Sequence, residues 1–220
     1  MSGTENQFSL TRAASKPPAR QKTTFLSVSV HLTFAGLLAI TTNVPAATLY
    51  VSPQAPHAAA PYATWDTAAT TIQQAVDSAN PGDEIVVTNG TYATGGRAVF
   101  GAMTNRVAVD KPLTLRSTNG RAVTIIQGVM APGGGNGDGA VRCMYLTNGV
   151  VLSGFTLTNG ATRAAGDADL EQSSGGLWCE STSVMISDCV IAGNSGAGYC
   201  GGVYSGTLTN CTIATNDGGG

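Results

Sequence analysis

The sequence predicts an all-β solenoid, a stack of short parallel strands with one helix closing its start. A glycine-led motif recurs at short intervals. Apolar and polar residues alternate with period two inside each copy. After residue 80 no stretch carries helical periodicity.

The motif stands three times between Gly139 and Asn216. The first copy runs Gly139-Ala140-Val141-Arg142-Cys143, then Leu152, Phe155 and Leu157. The second runs Gly175-Gly176-Leu177-Trp178-Cys179, then Ile186, Cys189 and Ile191, closing on Asn194. The third runs Gly201-Gly202-Val203-Tyr204-Ser205, then Leu208, Cys211 and Ile213, closing on Asn216. The last two copies lie 26 residues apart at Gly176 and Gly202, and 22 apart at Cys189 and Cys211. Ala140 and Gly176 are 36 apart, and Phe155 and Cys189 are 34 apart. A unit this short cannot bury its own apolar face, so copies must stack. Each strand then pairs in parallel with its counterpart one coil away, at about 4.8 Å. Aligning the copies on their glycines puts Val141, Leu177 and Val203 inward. Arg142, Trp178 and Tyr204 then point outward in one column.

The pattern L-x-x-[CF]-x-[IL] followed by Asn resembles the right-handed parallel β-helix proteins of the pectate-lyase-like superfamily. The Gly-Gly-hydrophobic-aromatic opening is similar to the repeats of bacterial surface β-helix proteins. The resemblance covers residues 48–220 and implies a right-handed parallel β-helix with an N-terminal capping α-helix. It leaves activity open, because the superfamily spans lyases, hydrolases, adhesins and passive surface proteins.

Taken in order, residues 1–46 read as a secretory signal peptide. Arg12, Lys16, Arg20 and Lys22 form a basic start. The apolar run Phe25–Ile40 follows, and Val44-Pro45-Ala46 offers a cleavage site after Ala46. An uncleaved anchor is the rival reading. Residues 47–83 hold a strand at Thr48–Ser52, a Pro/Ala-rich loop, and a helix over about 71–79. Ile72, Ala75, Val76 and Ala79 give that helix one apolar face, Thr70 with Gln73 fits a capping box, and Asn80-Pro81-Gly82 stops it. Its expected task is to cover the apolar end of the first coil. Residues 84–220 are the coils. Because the last residues, Asp217-Gly218-Gly219-Gly220, fall where another Gly-Gly copy is due, the expectation is an N-terminal piece of a longer β-helix.

Charged residues make up only 11% of the 220, with 29 glycines and a net charge of −2. No basic patch points to nucleic acid. Beyond residue 46 no run is long and apolar enough for a membrane span. The expectation is a secreted monomer, extracellular or on the outer cell surface.

All five cysteines fall in the repeats. They suit small buried hydrophobes stacked like on like, or disulfides, and no zinc spacing is present. Cys143 with Cys179, and Cys189 with Cys211, read as equivalent pairs. Asn194 and Asn216 share one turn and suit amide hydrogen bonds along the stack. His57, the single histidine past residue 46, sits in a Pro/Ala-rich loop and supports no Ser-His-Asp site.

The most informative polar cluster is Asp167, Asp169 and Glu171, in an insert that lengthens one coil. Asp138 falls at the same corner one coil earlier. Carboxylates converging there suit Ca²⁺, with Asp138, Asp167 and Asp169 as ligands, or an acid/base pair. By resemblance to lyases of the superfamily, Arg142 becomes a candidate base beside Asp167, Asp169 and Glu171. A solvated loop is the plain alternative. Arg142, Trp178 and Tyr204 are the candidate substrate contacts. Together these point to binding, with cleavage in reach, of an extracellular polysaccharide; the alternative is a non-catalytic surface or adhesin-like module.

Overall fold

The structure, a computed structural model, describes residues 45–218. The signal-peptide reading of 1–46 lies outside the described residues but for its last two. Strand β1 (Thr48–Val51) and helix α1 (Ile72–Ser78) precede the coils. The first coil holds β2 (Glu84–Val87), β3 (Gly90–Tyr92), β4 (Arg97–Ala98) and β5 (Thr104–Val109). The second holds β6 (Thr114–Ser117), β7 (Thr124–Gln127) and β8 (Val141–Leu146). The third holds β9 (Val151–Ser153), β10 (Thr156–Thr158) and β11 (Leu177–Cys179). The fourth holds β12 (Met185–Ser187), β13 (Val190–Ala192), β14 (Ser195–Gly196) and β15 (Val203–Tyr204). A fifth begins with β16 (Thr207–Thr209), β17 (Thr212–Ala214) and β18 (Asp217–Gly218).

The first sheet orders β1-β2-β6-β9-β12-β16, the second β3-β7-β10-β13-β17, and the third β4-β5-β8-β11-β15. Strand pairing is parallel except for the β4–β5 hairpin. This is the β-solenoid that the repeats require. Register stacks like on like inside it. Leu49, Ile85, Leu115, Leu152, Ile186 and Leu208 form one inward column of the first sheet. Tyr92, Ile126, Leu157, Ile191 and Ile213 form that of the second. Fully burying one such side chain contributes roughly 1.5–3 kcal/mol.

The repeat letters have local causes. Gly154, Asp188 and Asn210 open the two-residue corner between the first and second sheets, with φ of 83°, 53° and 52°. Glycine, aspartate and asparagine are the residues that tolerate this left-handed backbone. At the next corner Asn194 is buried and reaches back one coil. Its Oδ1 accepts from Gly160 N at 2.8 Å, and its Nδ2 donates to Leu157 O at 3.1 Å. Asn216 repeats this, accepting from Asn194 N at 3.1 Å and donating to Ile191 O at 2.8 Å. A Cβ on Gly202 would run into Asn216, and one on Gly176 would strike Gly202 O and Ile191, with Asn194 next. The second glycine of each pair therefore lets the following coil and its asparagine approach closely.

Coil length varies between coils. In the first sheet, Leu115 to Leu152 is 37 residues, Leu152 to Ile186 is 34, and Ile186 to Leu208 is 22. Much of the surplus lies in the loops entering the third sheet, at 128–140 and 159–176, and the second coil also spends 11 residues from Leu115 to Ile126 where Leu152 to Leu157 takes 5.

The start of the stack is closed as the helix pattern predicts. Ile72, Ala75, Val76 and Ala79 are at most 5% exposed and join the main core. The capping box is one residue later than expected. Thr71 is the N-cap and Gln74 the reciprocal partner, because the helix begins at Ile72. The freed Gln73 does something else: its buried amide accepts from Ala108 N at 2.7 Å and donates to Ala108 O at 3.1 Å. It stands in for a neighbouring strand at the edge of β5. Lys111 Nζ donates to the helix-end carbonyls of Val76 and Ala79, both at 3.1 Å. The outer edge of β1 is met by Tyr62 and Ala69 backbone.

One registration expectation fails. Leu177 pairs with Val203 as predicted, but on its other side it meets Met144, not Val141. The first motif copy is shifted by three residues, because Arg142 and Cys143, not Gly139 and Ala140, occupy the stations of the later Gly-Gly pairs. Met144 therefore takes the inward place expected of Val141, and Cys143 beside it also joins the main core. The shift also separates Cys143 from Cys179, which pairs with Leu146. Cys189 and Cys211 do share a station, since the residues after them pair. All five cysteines are free thiols.

Leu177 is fully buried. Leu177→Asp is expected to leave the coils unfolded at room temperature, since an unpaired buried charge costs several kcal/mol against a marginal total. Urea unfolding followed by circular dichroism checks this, and a wild-type midpoint would contradict the stack. Asn194→Ala orphans Gly160 N–H and should cost about 1–3 kcal/mol in the same measurement.

Candidate functional site

The sequence-predicted site residues gather on the outer side of the third sheet. Ala108, Tyr145, Trp178 and Tyr204 occupy one outward column. Tyr145 and Trp178 stack with centroids 5.4 Å apart at 12°, and Trp178 and Tyr204 at 5.4 Å and 2°. Phe100 meets Tyr145 edge-on at 5.7 Å. Trp178 and Tyr204 thus share a column as expected, but Tyr145 takes the place given to Arg142. Stacked rings also present their faces to each other. A sugar cannot lie on the face of Trp178, which is 6% exposed under Phe100 and Leu170. Trp178, stacked on both sides, shows only its edge outward, whereas among the described residues Tyr204 is stacked on one face alone.

Arg142 is 1% exposed. Its Nε donates to Ser174 O at 2.7 Å and its Nη1 to Asn105 Oδ1 at 3.0 Å. Its Nη2 donates to Leu170 O and Ser173 O, both at 2.8 Å. Burial pushes the guanidinium down to about 10. Geometrically, Arg142 ties the 160–174 loop to the sheet and does not reach solvent.

The acidic insert does meet Asp138 at one corner, through Arg163. That guanidinium contacts Asp138 at 2.9 Å and Glu171 at 2.7 Å. Glu171 accepts from Ala102 N at 2.9 Å and Asp167 N at 3.1 Å. Gly101 and Gly166 lie so close that a Cβ on either would strike its carboxylate. The Ala102 and Asp167 amides, and then Arg163, hold Glu171 down at about 2. Glu171 therefore clasps the 95–103 loop to the 160–174 loop, over the aromatic ladder. Asp167 Oδ1 caps the local turn, accepting from Asp169 N at 3.0 Å and Leu170 N at 2.8 Å. Asp138, Asp167 and Asp169 are not brought together: among the described residues no group of three His, Cys, Asp or Glu side chains can hold a metal ion.

Asp169 differs from its neighbours. Its carbonyl accepts Trp178 Nε1 at 2.8 Å, while its carboxylate stays exposed. Tyr199, at 66% the most exposed large hydrophobic residue described, stands on the loop between β14 and β15. Its loop is tied to the acidic insert by Gly198 N to Gln172 O at 2.8 Å and Tyr199 N to Ser173 Oγ at 3.3 Å. The hydroxyl of half-buried Tyr204 is raised above its ordinary value by lost solvation, then by Asp169. Sequence reasoning missed Tyr199, which lies in an irregular loop outside the repeated letters. It also missed Glu180, which accepts from Tyr145 OH and from Thr147 Oγ1 at 2.6 Å. An open concavity of about 290 Å³ is lined by Met130, Gly135, Asn194, Ser195 and Asp217 among others.

Compared with protein-family models, with curated proteins and with solved structures, the chain matches none.

A carboxylate held below its ordinary value stabilises the fold fully above that value and loses its contribution as pH falls. For Glu171 the window runs from its ordinary 4.5 down to about 2. Hydrogen exchange at Ala102 and Asp167 should therefore accelerate across that range relative to the coil strands. In Glu171→Gln the two amides should exchange faster at neutral pH, with the acid dependence gone. Unchanged protection would contradict the clasp.

Proposed function

We propose that the chain is a secreted, non-catalytic carbohydrate-binding solenoid of the pectate-lyase-like kind. One observation carries this reading. At a single surface, the residues offered for acid/base chemistry hold backbone, while two tyrosines and a carboxylate face outward. Arg142, Asp167 and Glu171 make contacts that a base or acid would have to break. Tyr199, Tyr204 and Asp169 are not so engaged among the described residues.

The chemistry of those three suits sugars. A tyrosine ring presents an apolar body and a hydroxyl, matching the C–H face and hydroxyl rim of a pyranose. Asp169 accepts hydrogen bonds from hydroxyl groups. The ladder beneath them fixes Tyr204 in place at little further entropic cost.

Affinity electrophoresis of residues 47–220 in a panel of soluble polysaccharides tests the proposal. Binding to at least one polymer is expected, weakened roughly tenfold by Tyr199→Ala combined with Tyr204→Ala. Unchanged affinity in a folded double variant would remove the site. Release of reducing or unsaturated ends from a bound polymer would overturn the non-catalytic part.

A further inference from the structure

We infer that the polymer taken at the Asp169–Tyr199–Tyr204 surface carries no carboxylate or sulfate groups. It is a neutral or amino-sugar chain, not a polyuronate. This rests on the carbohydrate-binding reading above and adds the substrate class.

The argument is one of charge complementarity. Residues 45–218 hold seven Lys and Arg against twelve Asp and Glu, a net of −5. Those seven cations are also committed. Arg142 and Arg106 are buried and donate to backbone carbonyls. Arg97 contacts Asp77 and Asp110, Arg116 contacts Glu84, and Arg163 contacts Asp138 and Glu171. Lys111 is held by Asp110 and the end of α1. Of these other five cations only Arg121 lacks a carboxylate partner among the described residues, and its Nη1 donates to Asn210 O at 2.8 Å. Asn210 lies between β16 and β17, at the corner joining the first and second sheets, whereas the tyrosine surface belongs to the third.

A polyuronate would therefore bring regularly spaced carboxylates to a surface whose nearest formal charge is Asp169. That repulsion acts within a Debye length, about 8 Å at physiological salt. Two remedies exist in general: an arginine fork on each carboxylate, or a bridging divalent cation. The arginines here are taken. The described residues also gather no three donors to hold such a cation. A neutral chain meets neither obstacle. An amino-sugar chain gains a contact with Asp169 instead.

The test is affinity electrophoresis at low ionic strength with four polymers: a neutral β-glucan, chitosan, polygalacturonate and alginate. Retardation by the glucan or by chitosan is expected, with both polyuronates at least roughly tenfold weaker. Asp169→Lys should gain several-fold in polyuronate binding, and the gain should vanish at high salt. Polyuronate binding by the wild type as tight as any other would overturn the inference and leave carbohydrate binding standing. So would Asp169→Lys without gain. Binding to none of the four, nor to the wider neutral panel, would overturn both.

Discussion

In-register stacking is the constraint on which everything else depends. A coil a few residues wide has no core of its own, and each inward side chain must find its like in the coils on either side. Leu152, Ile186 and Leu208 do so, as do Leu157, Ile191 and Ile213. The register is enforced at the corners by polar groups. Each asparagine of the ladder answers a backbone N–H and a carbonyl of the preceding coil. A slip of one residue would turn the apolar rows outward and orphan those groups together, so packing and hydrogen bonding select the same alignment.

That double enforcement explains what was legible in the sequence. The corner residues Asp188 and Asn210, the glycine pairs and the closing asparagines are one solution written twice, so the third and fourth coils could be aligned by eye. The second coil could not. Gly139-Ala140 imitates the glycine pair but precedes a six-residue strand, β8, whose first three residues lie ahead of the true station. Arg142 fills a station occupied elsewhere by glycine because four acceptors, from Asn105 and the long insert, are waiting there. Nothing local in the sequence reveals acceptors that arrive from 28 to 37 residues away.

The candidate site was legible in its location and not in its chemistry. The acidic insert does lie beside the aromatic column, and Asp138 does meet it. A carboxylate's role, however, depends on what faces it. Glu171 faces two amides and a guanidinium and acts as a tether, whereas Asp169, two residues earlier, turns its carboxylate to water. Tyr199 stands on a loop with no repeating pattern, so only its place against Ser173 and Gln172 brings it into view.

The shortest coil sets a scale for the whole architecture. From Ile186 to Leu208 the chain uses 22 residues for one step of about 4.8 Å. An α-helix would climb roughly 33 Å with the same residues. The solenoid is therefore a poor spacer and a good lattice. It converts sequence into a two-dimensional array of outward positions, each at a fixed distance from the next. On such an array, changing one outward residue alters one cell of the surface and leaves the spacing of the others intact. Loops can lengthen at one edge, as those entering the third sheet do, without disturbing the rows they interrupt.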